Sequence, residues 1–106
     1  NRELDRDHAA AARGLGAVVE LEPGAPRFRL LLTSGSGMTA PAALQVTFLH
    51  RTRAGFDRQI NATLLPDSIG TNPFIYQATT PDLVRGHWDV LIEAGDWRIL
   101  DSATIP

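Results

Sequence analysis

The stretch Gly86–Ile99, GHWDVLIEAGDWRI, holds both tryptophans of the chain, one of its three histidines and four charged residues. It reads either as a platform of two indoles for a ligand or as the apolar plug of a β-sheet, and its spacing discriminates. If strands flank Gly95-Asp96 as a two-residue hairpin turn, cross-strand partners sum to a constant and Ala94 faces Trp97. Ile92 then lies opposite Ile99, Leu91 opposite Leu100, and Val90 opposite Asp101. Side chains alternate along a strand, so Trp88, Val90, Ile92, Ala94, Trp97 and Ile99 share one face. That face is the expected core, with Trp88, Val90, Ile92, Trp97 and Ile99 as its main structural residues, because large aromatics are more often core than platform. On the other face Glu93 sits opposite Arg98 as an exposed pair, and Leu91 sits opposite Leu100. Gly-Asp is weaker than Asn-Gly for a type I′ turn, which leaves a one-residue shift or a longer loop open. Asp101 is the odd residue, since alternation sends it toward the core side: a fraying strand end or a buried, hydrogen-bonded carboxylate.

Outward from this hairpin the chain repeats the same texture. AVVELE (17–22), RFRLLLT (27–33), LQVTFLHRT (44–52), RQINATLL (58–65) and FIYQAT (74–79) are short β-like runs separated by PGAP, SGSGMTAPAA, RAGFD, PDSIGTNP and TPDLVRG. With the two tryptophan strands they make seven. Seven short strands joined by antiparallel turn chemistry point to an all-β fold, an immunoglobulin-like antiparallel β-sandwich, with an open barrel as the alternative. Ahead of them LDRDHAAAAR (4–13) reads as a helix capped by Gly14, with a thin apolar face of Leu4, Ala11, Ala12 and Leu15. The expected organisation is a helical lead-in over 1–16, following a membrane anchor outside this sequence, and a β-sandwich over 17–106.

The chain of 106 residues is long enough for one core without metals or disulfides. Ten basic residues, all arginine, stand against twelve acidic ones, giving a net charge of −2 without a run of like charges. Nucleic acid is not the expected partner, because phosphate binding needs a concentrated basic surface. The absence of cysteine removes thiolate nucleophiles, disulfides and the usual structural zinc sites. It fits the cytoplasm and an oxidising periplasm equally. No run approaches the length of a membrane span, and the first residue is Asn1 rather than methionine, which leads us to expect a trimmed or processed chain whose preceding segment could hold a signal or an anchor.

Little in the sequence carries chemistry. Met38, His50 and His87 are the candidate metal ligands; with His8 they exhaust the soft and borderline donors, and no two share the spacing that one helix or strand turns into a site. SGSG (34–37) resembles a phosphate loop only superficially, because a proline-containing loop and a strand follow it instead of a helix. Asp89 and Asp101 fall on opposite faces of the hairpin and do not form a carboxylate pair. No catalytic or cofactor-binding residue is expected.

Three stretches carry a family resemblance. NRELDRDHAAAARGLG (1–16) resembles the start of the soluble part of FixH-type proteins, also called CcoH. APAALQVTFLHRTRAGFDRQINATL (40–64) is similar to that family's strand, arginine-containing loop and Asp-containing strand, and YQATTPDLVRGHWDVLIEAGDWRI (76–99) to its closing pattern of Tyr, loop, Gly-x-Trp, alternating strand and Trp-Arg. Ala17 follows Gly16 where members often carry an aromatic, and PDSIGTNPF is longer than the compact turn expected there. The resemblance implies a small protein with one N-terminal membrane anchor and a domain on the periplasmic face of the bacterial inner membrane. It implies a role in assembly or stability of the cbb3-type cytochrome c oxidase, alongside a copper-transporting ATPase and a ferredoxin-like protein of the same nitrogen-fixation cluster. It supplies no catalytic residues. Two classes of function follow: a non-enzymatic module contacting an oxidase subunit or assembly protein through Leu91 and Leu100, or a copper-handling module using some of Met38, His50 and His87.

Overall fold

Apolar alternation of period two builds the molecule. The computed structural model describes residues 2–22, 24–35 and 37–106. Asn1, Pro23 and Ser36, which belong to the helical lead-in, the PGAP turn and the SGSG loop of the sequence reading, lie outside the described residues. The elements are α1 (Arg2–Ala12), β1 (Gly16–Glu20), β2 (Arg27–Thr33), β3 (Ala43–His50), β4 (Arg58–Leu64), a single 3-10 turn (Pro66–Ser68), β5 (Phe74–Thr79), β6 (Gly86–Ala94) and β7 (Trp97–Ile105). Every strand pair is antiparallel, in the order β1-β2-β5-β4-β3-β6-β7.

That order is the four-plus-three arrangement of an immunoglobulin constant-type sandwich, β1-β2-β5-β4 over β3-β6-β7, with its fourth strand shared. β4 pairs with β3 from Arg58 to Thr63 and passes to β5 at Thr63 and Leu64. The two sheets thereby join along β4 into one sheet nearly closed into a barrel, with β1 and β7 side by side at the seam but not hydrogen-bonded as a ladder.

The inward apolar positions of four interior strands are closed to solvent: Phe28, Leu30 and Leu32 on β2, Leu44, Val46 and Phe48 on β3, Phe74, Tyr76 and Ala78 on β5, Trp88, Val90 and Ile92 on β6; on the shared β4 Ala62 is buried while Ile60 and Leu64 are half-buried. On the two seam strands the inward Ala17, Val19, Ile99, Ala103 and Ile105 are only half-buried, because a strand with one bonded neighbour is covered from one side. Asp101 belongs to this row. It is half-buried and pairs with Val90 in the ladder, and its carboxylate has no hydrogen-bond partner among the described residues. Neither expectation for it holds: the ladder runs on to Ile105, so the strand does not fray, and the open seam supplies the solvent that a buried carboxylate would lack.

The hairpin register is the one its spacing dictated, Ala94 opposite Trp97 through Leu91 opposite Leu100 to Val90 opposite Asp101. Trp88 and Trp97 are buried, as are Val90 and Ile92, and Ile99 is half-buried. The turn differs from the one weighed. Gly95 has φ +54° while no non-glycine residue has a positive φ, which is the type II′ pattern, where glycine stands first, rather than type I′.

The helix ends as expected but faces differently. The Leu15 N–H donates to the Ala10 carbonyl and the Gly14 N–H to the Ala11 carbonyl, the paired bonds of a Schellman motif with Gly14 just past the last turn. Of the apolar face expected of Leu4, Ala11, Ala12 and Leu15, only Leu15 packs against the core. Ala11 and Ala12 are exposed and Leu4 is half out; Ala10 alone is buried, with Arg6, Asp7 and Ala9 half-buried beside it. The reason is electrostatic, and it creates the site described next.

Candidate functional site

On the outer face of β6 and β7 the register sets Glu93 beside Arg98 and Leu91 beside Leu100. The sequence makes Glu93 and Arg98 each other's partner. The structure instead gives each a partner from α1. The Arg6 guanidinium donates to the Glu93 carboxylate at 2.5 Å and to the carbonyls of Gly95 and Trp97 at 3.4 and 3.3 Å. Arg98 donates to the Asp7 carboxylate at 2.7 and 3.3 Å. At the other end of the helix Arg13 makes a two-point contact with Asp96 in the hairpin turn, at 2.7 and 2.6 Å. Three of the ion pairs thus join one helix to one hairpin. Two opposite charges opposed across a ladder become a socket for two adjacent opposite charges on a helix.

These contacts shift the groups in the direction that charge pairing requires. The Arg98 hydrogen bond holds the Asp7 carboxyl below its usual range, and Asp7 in turn raises Arg98. Arg13 lowers Asp96 in the same way and is itself raised.

Beside the ion pairs lies a shallow hollow of about 360 Å³ whose walls include Ala10 and Leu15 from the helix side and Leu49, Leu91 and Leu100 from the sheet. Leu100 is 63% exposed, whereas Leu49 and Leu91 are half-buried. Leu49 and Leu15 join the two leucines singled out in the sequence, and so do the charges of Arg6 and Asp7. No short-range signal marks the charges, because their partners lie 87 and 91 residues away along the chain.

A second outward apolar row, Val18–Leu31–Ile75, runs in register across β1, β2 and β5. A larger groove of about 640 Å³ opens between the β2–β3 and β4–β5 loops, with Met38, Ile69 and Phe74 among its walls and no charged side chain lining it. The Asn72 side chain clips those loops together, accepting from the Ser34 N–H and donating to the Ser34 carbonyl. Neither feature has the combination of apolar hollow and fixed charges found at the hairpin.

The candidate metal ligands are dispersed. Met38 precedes β3 and His50 ends it, which puts a strand of roughly 23 Å between them. His50 lies on the inner side, its ring edge-on to Trp88 at 4.8 Å, and its Nδ1 accepts from the Thr52 and Arg53 backbone N–H groups. His87, one position along from His50's partner Trp88, points to the opposite face and meets the Thr104 hydroxyl at 3.2 Å. Among the described residues no three His, Cys, Asp or Glu side chains are grouped to hold a metal ion. His50 organises the turn after β3, and Gly86 is the residue that makes room for it: a Cβ there would lie 2.7 Å from Nε2, and its φ of +137° suits glycine.

The family model for FixH matches residues 1–102. The chain belongs to the FixH family. The match takes in α1, β1 to β6, β7 as far as Ser102 and the ion-paired helix–hairpin contact, so the site lies within the matched part of this FixH-family domain. No curated protein and no solved structure matches the chain. No helix among the described residues is long and apolar enough to cross a membrane.

Proposed function

We propose that this FixH-family domain is a non-enzymatic interaction module, acting in the assembly or stability of the cbb3-type cytochrome c oxidase. It is held at the periplasmic face of the bacterial inner membrane by an anchor preceding the domain, and its partner is an oxidase subunit or an assembly protein. Membership in the FixH family supports the broad role. The observation that carries the contact is the outward leucine hollow at Leu49, Leu91 and Leu100, framed by fixed charges. An apolar hollow with a charged rim is the anatomy of a specific protein contact, in which the apolar centre supplies affinity and the rim supplies register. The copper-passing reading uses some of Met38, His50 and His87; Met38 lies at the opposite end of β3 from His50, and His50 and His87 point to opposite faces of the sheet.

The test is Leu91→Ser with Leu100→Ser in the membrane-anchored protein. The double variant is expected to fold and accumulate normally and to leave the strain short of assembled, active oxidase. Full oxidase activity in cells holding only this variant would remove this face as the contact.

A further inference from the structure

Helix α1 sits on the rest of the molecule in an unusual way. It is 11 residues long, buries Ala10 with Ala9 half-buried against the core beside it, and three ion pairs join it and the adjoining Arg13 to the hairpin. An isolated helix of that length is marginal in water, so α1 stays folded only while it is docked. Its two ends are fixed differently. The C-terminal end is built into the fold: the Schellman bonds turn the chain at Gly14, the Gly35 N–H donates to the Arg13 carbonyl at 3.2 Å, and β1 begins at Gly16. Nearer the N-terminal end the side-chain bonds to the hairpin come from Arg6 and Asp7. Arg6 is an imperfect fastener, since its Nε is buried without a partner among the described residues while its outer nitrogens serve Glu93 and two carbonyls.

A segment with a covalent and backbone-bonded pivot at one end and side-chain ion pairs at the other is a strap. We propose that α1 is a charge-latched strap, pivoting at Gly14, that opens from the Arg6–Asp7 end and thereby uncovers the outer face around Leu91 and Leu100. Closed, the helix forms one wall of the leucine hollow with Ala10 and Ala11. Open, that wall is gone, Glu93 and Arg98 lose their helix partners, and the apolar face widens toward β7. Access to the hollow is then set by the latch, and a partner carrying its own basic and acidic groups side by side competes with Arg6 and Asp7 for the same two charges. This inference rests on the hollow being the contact surface.

Hydrogen exchange of the whole domain reads the strap without reference to any partner. Raising the salt from about 0.02 M to about 1 M shortens the screening length from more than 20 Å to about 3 Å, which weakens the latch and leaves an apolar core intact. Exchange of the α1 amides from Arg6 to Ala12 is expected to quicken on the order of 10-fold, with the β3 amides unchanged as the internal reference. Arg6→Gln with Asp7→Asn is expected to give the fast exchange already at low salt. Asp7→Arg combined with Arg98→Asp, which reverses one pair, is expected to recover protection that Asp7→Arg alone loses. If α1 exchanges together with β3 at every salt concentration in the unaltered protein, the helix opens only with the whole fold and the strap does not exist. A folded charge-reversed pair that fails to recover protection would overturn the latch as well. Should α1 open as described while the Leu91→Ser, Leu100→Ser variant still supports the oxidase, the strap stands and the contact reading falls.

Discussion

Tyr76 is the buried polar group with the clearest energetic signature. Its ring is closed to solvent in the core, its hydroxyl donates to the Pro41 carbonyl at 2.7 Å, and burial pushes its pKa up to about 12. The folded state therefore keeps the phenol proton at a pH where the unfolded chain, titrating near 10, has lost it. Below pH 10 the stability of the neutral group is fully present; between about 10 and 12 it is lost as pH rises, at a cost approaching about 3 kcal/mol. Urea melts at pH 8, 10 and 11 are expected to show a falling midpoint for the unaltered protein and a flatter one for Tyr76→Phe. Parallel curves would assign the alkaline loss to other groups. Nothing local in the sequence announces this bond, whose donor and acceptor lie 35 residues apart. Ser68, by contrast, is a buried hydroxyl bonded locally, donating to the Leu65 carbonyl and accepting from the Ile75 N–H, both at 2.9 Å, and it pins the loop that the sequence shows only as a break.

Elements were legible to the degree that their own periodicity dictates them. The β6–β7 register follows from a turn at Gly95-Asp96 together with the alternation of Trp88, Val90, Ile92, Trp97 and Ile99, because a slip by one residue would part the apolar set of one strand from that of the other. The end of α1 followed from Gly14. Its docking face did not, since four alanines in a row carry no direction and the deciding charges, Glu93 and Arg98, lie far along the chain. That docking should weaken in acid. Asp7 and Asp96 are held below their ordinary range by Arg98 and Arg13 respectively, so their contribution is present above about pH 4 and is lost as pH falls through the depressed folded values. Arg13 and Arg98, held above their ordinary value by the two carboxylates, keep their charge throughout, so the loss comes from Asp7 and Asp96. Helical circular dichroism is expected to decline between about pH 4 and pH 2.5 before the near-ultraviolet tryptophan signal does. Loss of both signals together would tie α1 to the core more firmly than its single buried alanine implies.

At the scale of the whole molecule, one sheet has two sides, and the same hairpin supplies residues to both. The seven-strand count and the antiparallel plan were readable from turn spacing, whereas the sharing of β4 was not. RQINATLL alternates equally well against β3 or β5, and it pairs with β3 through Thr63 and then with β5 at Thr63 and Leu64. Joining the sheets leaves β1 and β7 as the only seam in this order, and it decides which residues are inside. Trp97 is 3% exposed and Leu100, three residues on, is 63% exposed. Removing the Trp97 indole deletes buried surface and leaves a cavity, so Trp97→Ala is expected to cost about 3 to 5 kcal/mol, a large part of the stability of a domain this size. Leu91→Ser with Leu100→Ser removes surface that water already reaches, and each exposed change is worth roughly 0.5 kcal/mol or less, somewhat more at half-buried Leu91. Urea midpoints of the two variants against the unaltered domain are therefore expected to differ severalfold in their displacement. Equal displacements would mean that the leucine face is packed against the protein's own structure, and the hollow beside α1 would then be part of the core rather than a surface open to a partner.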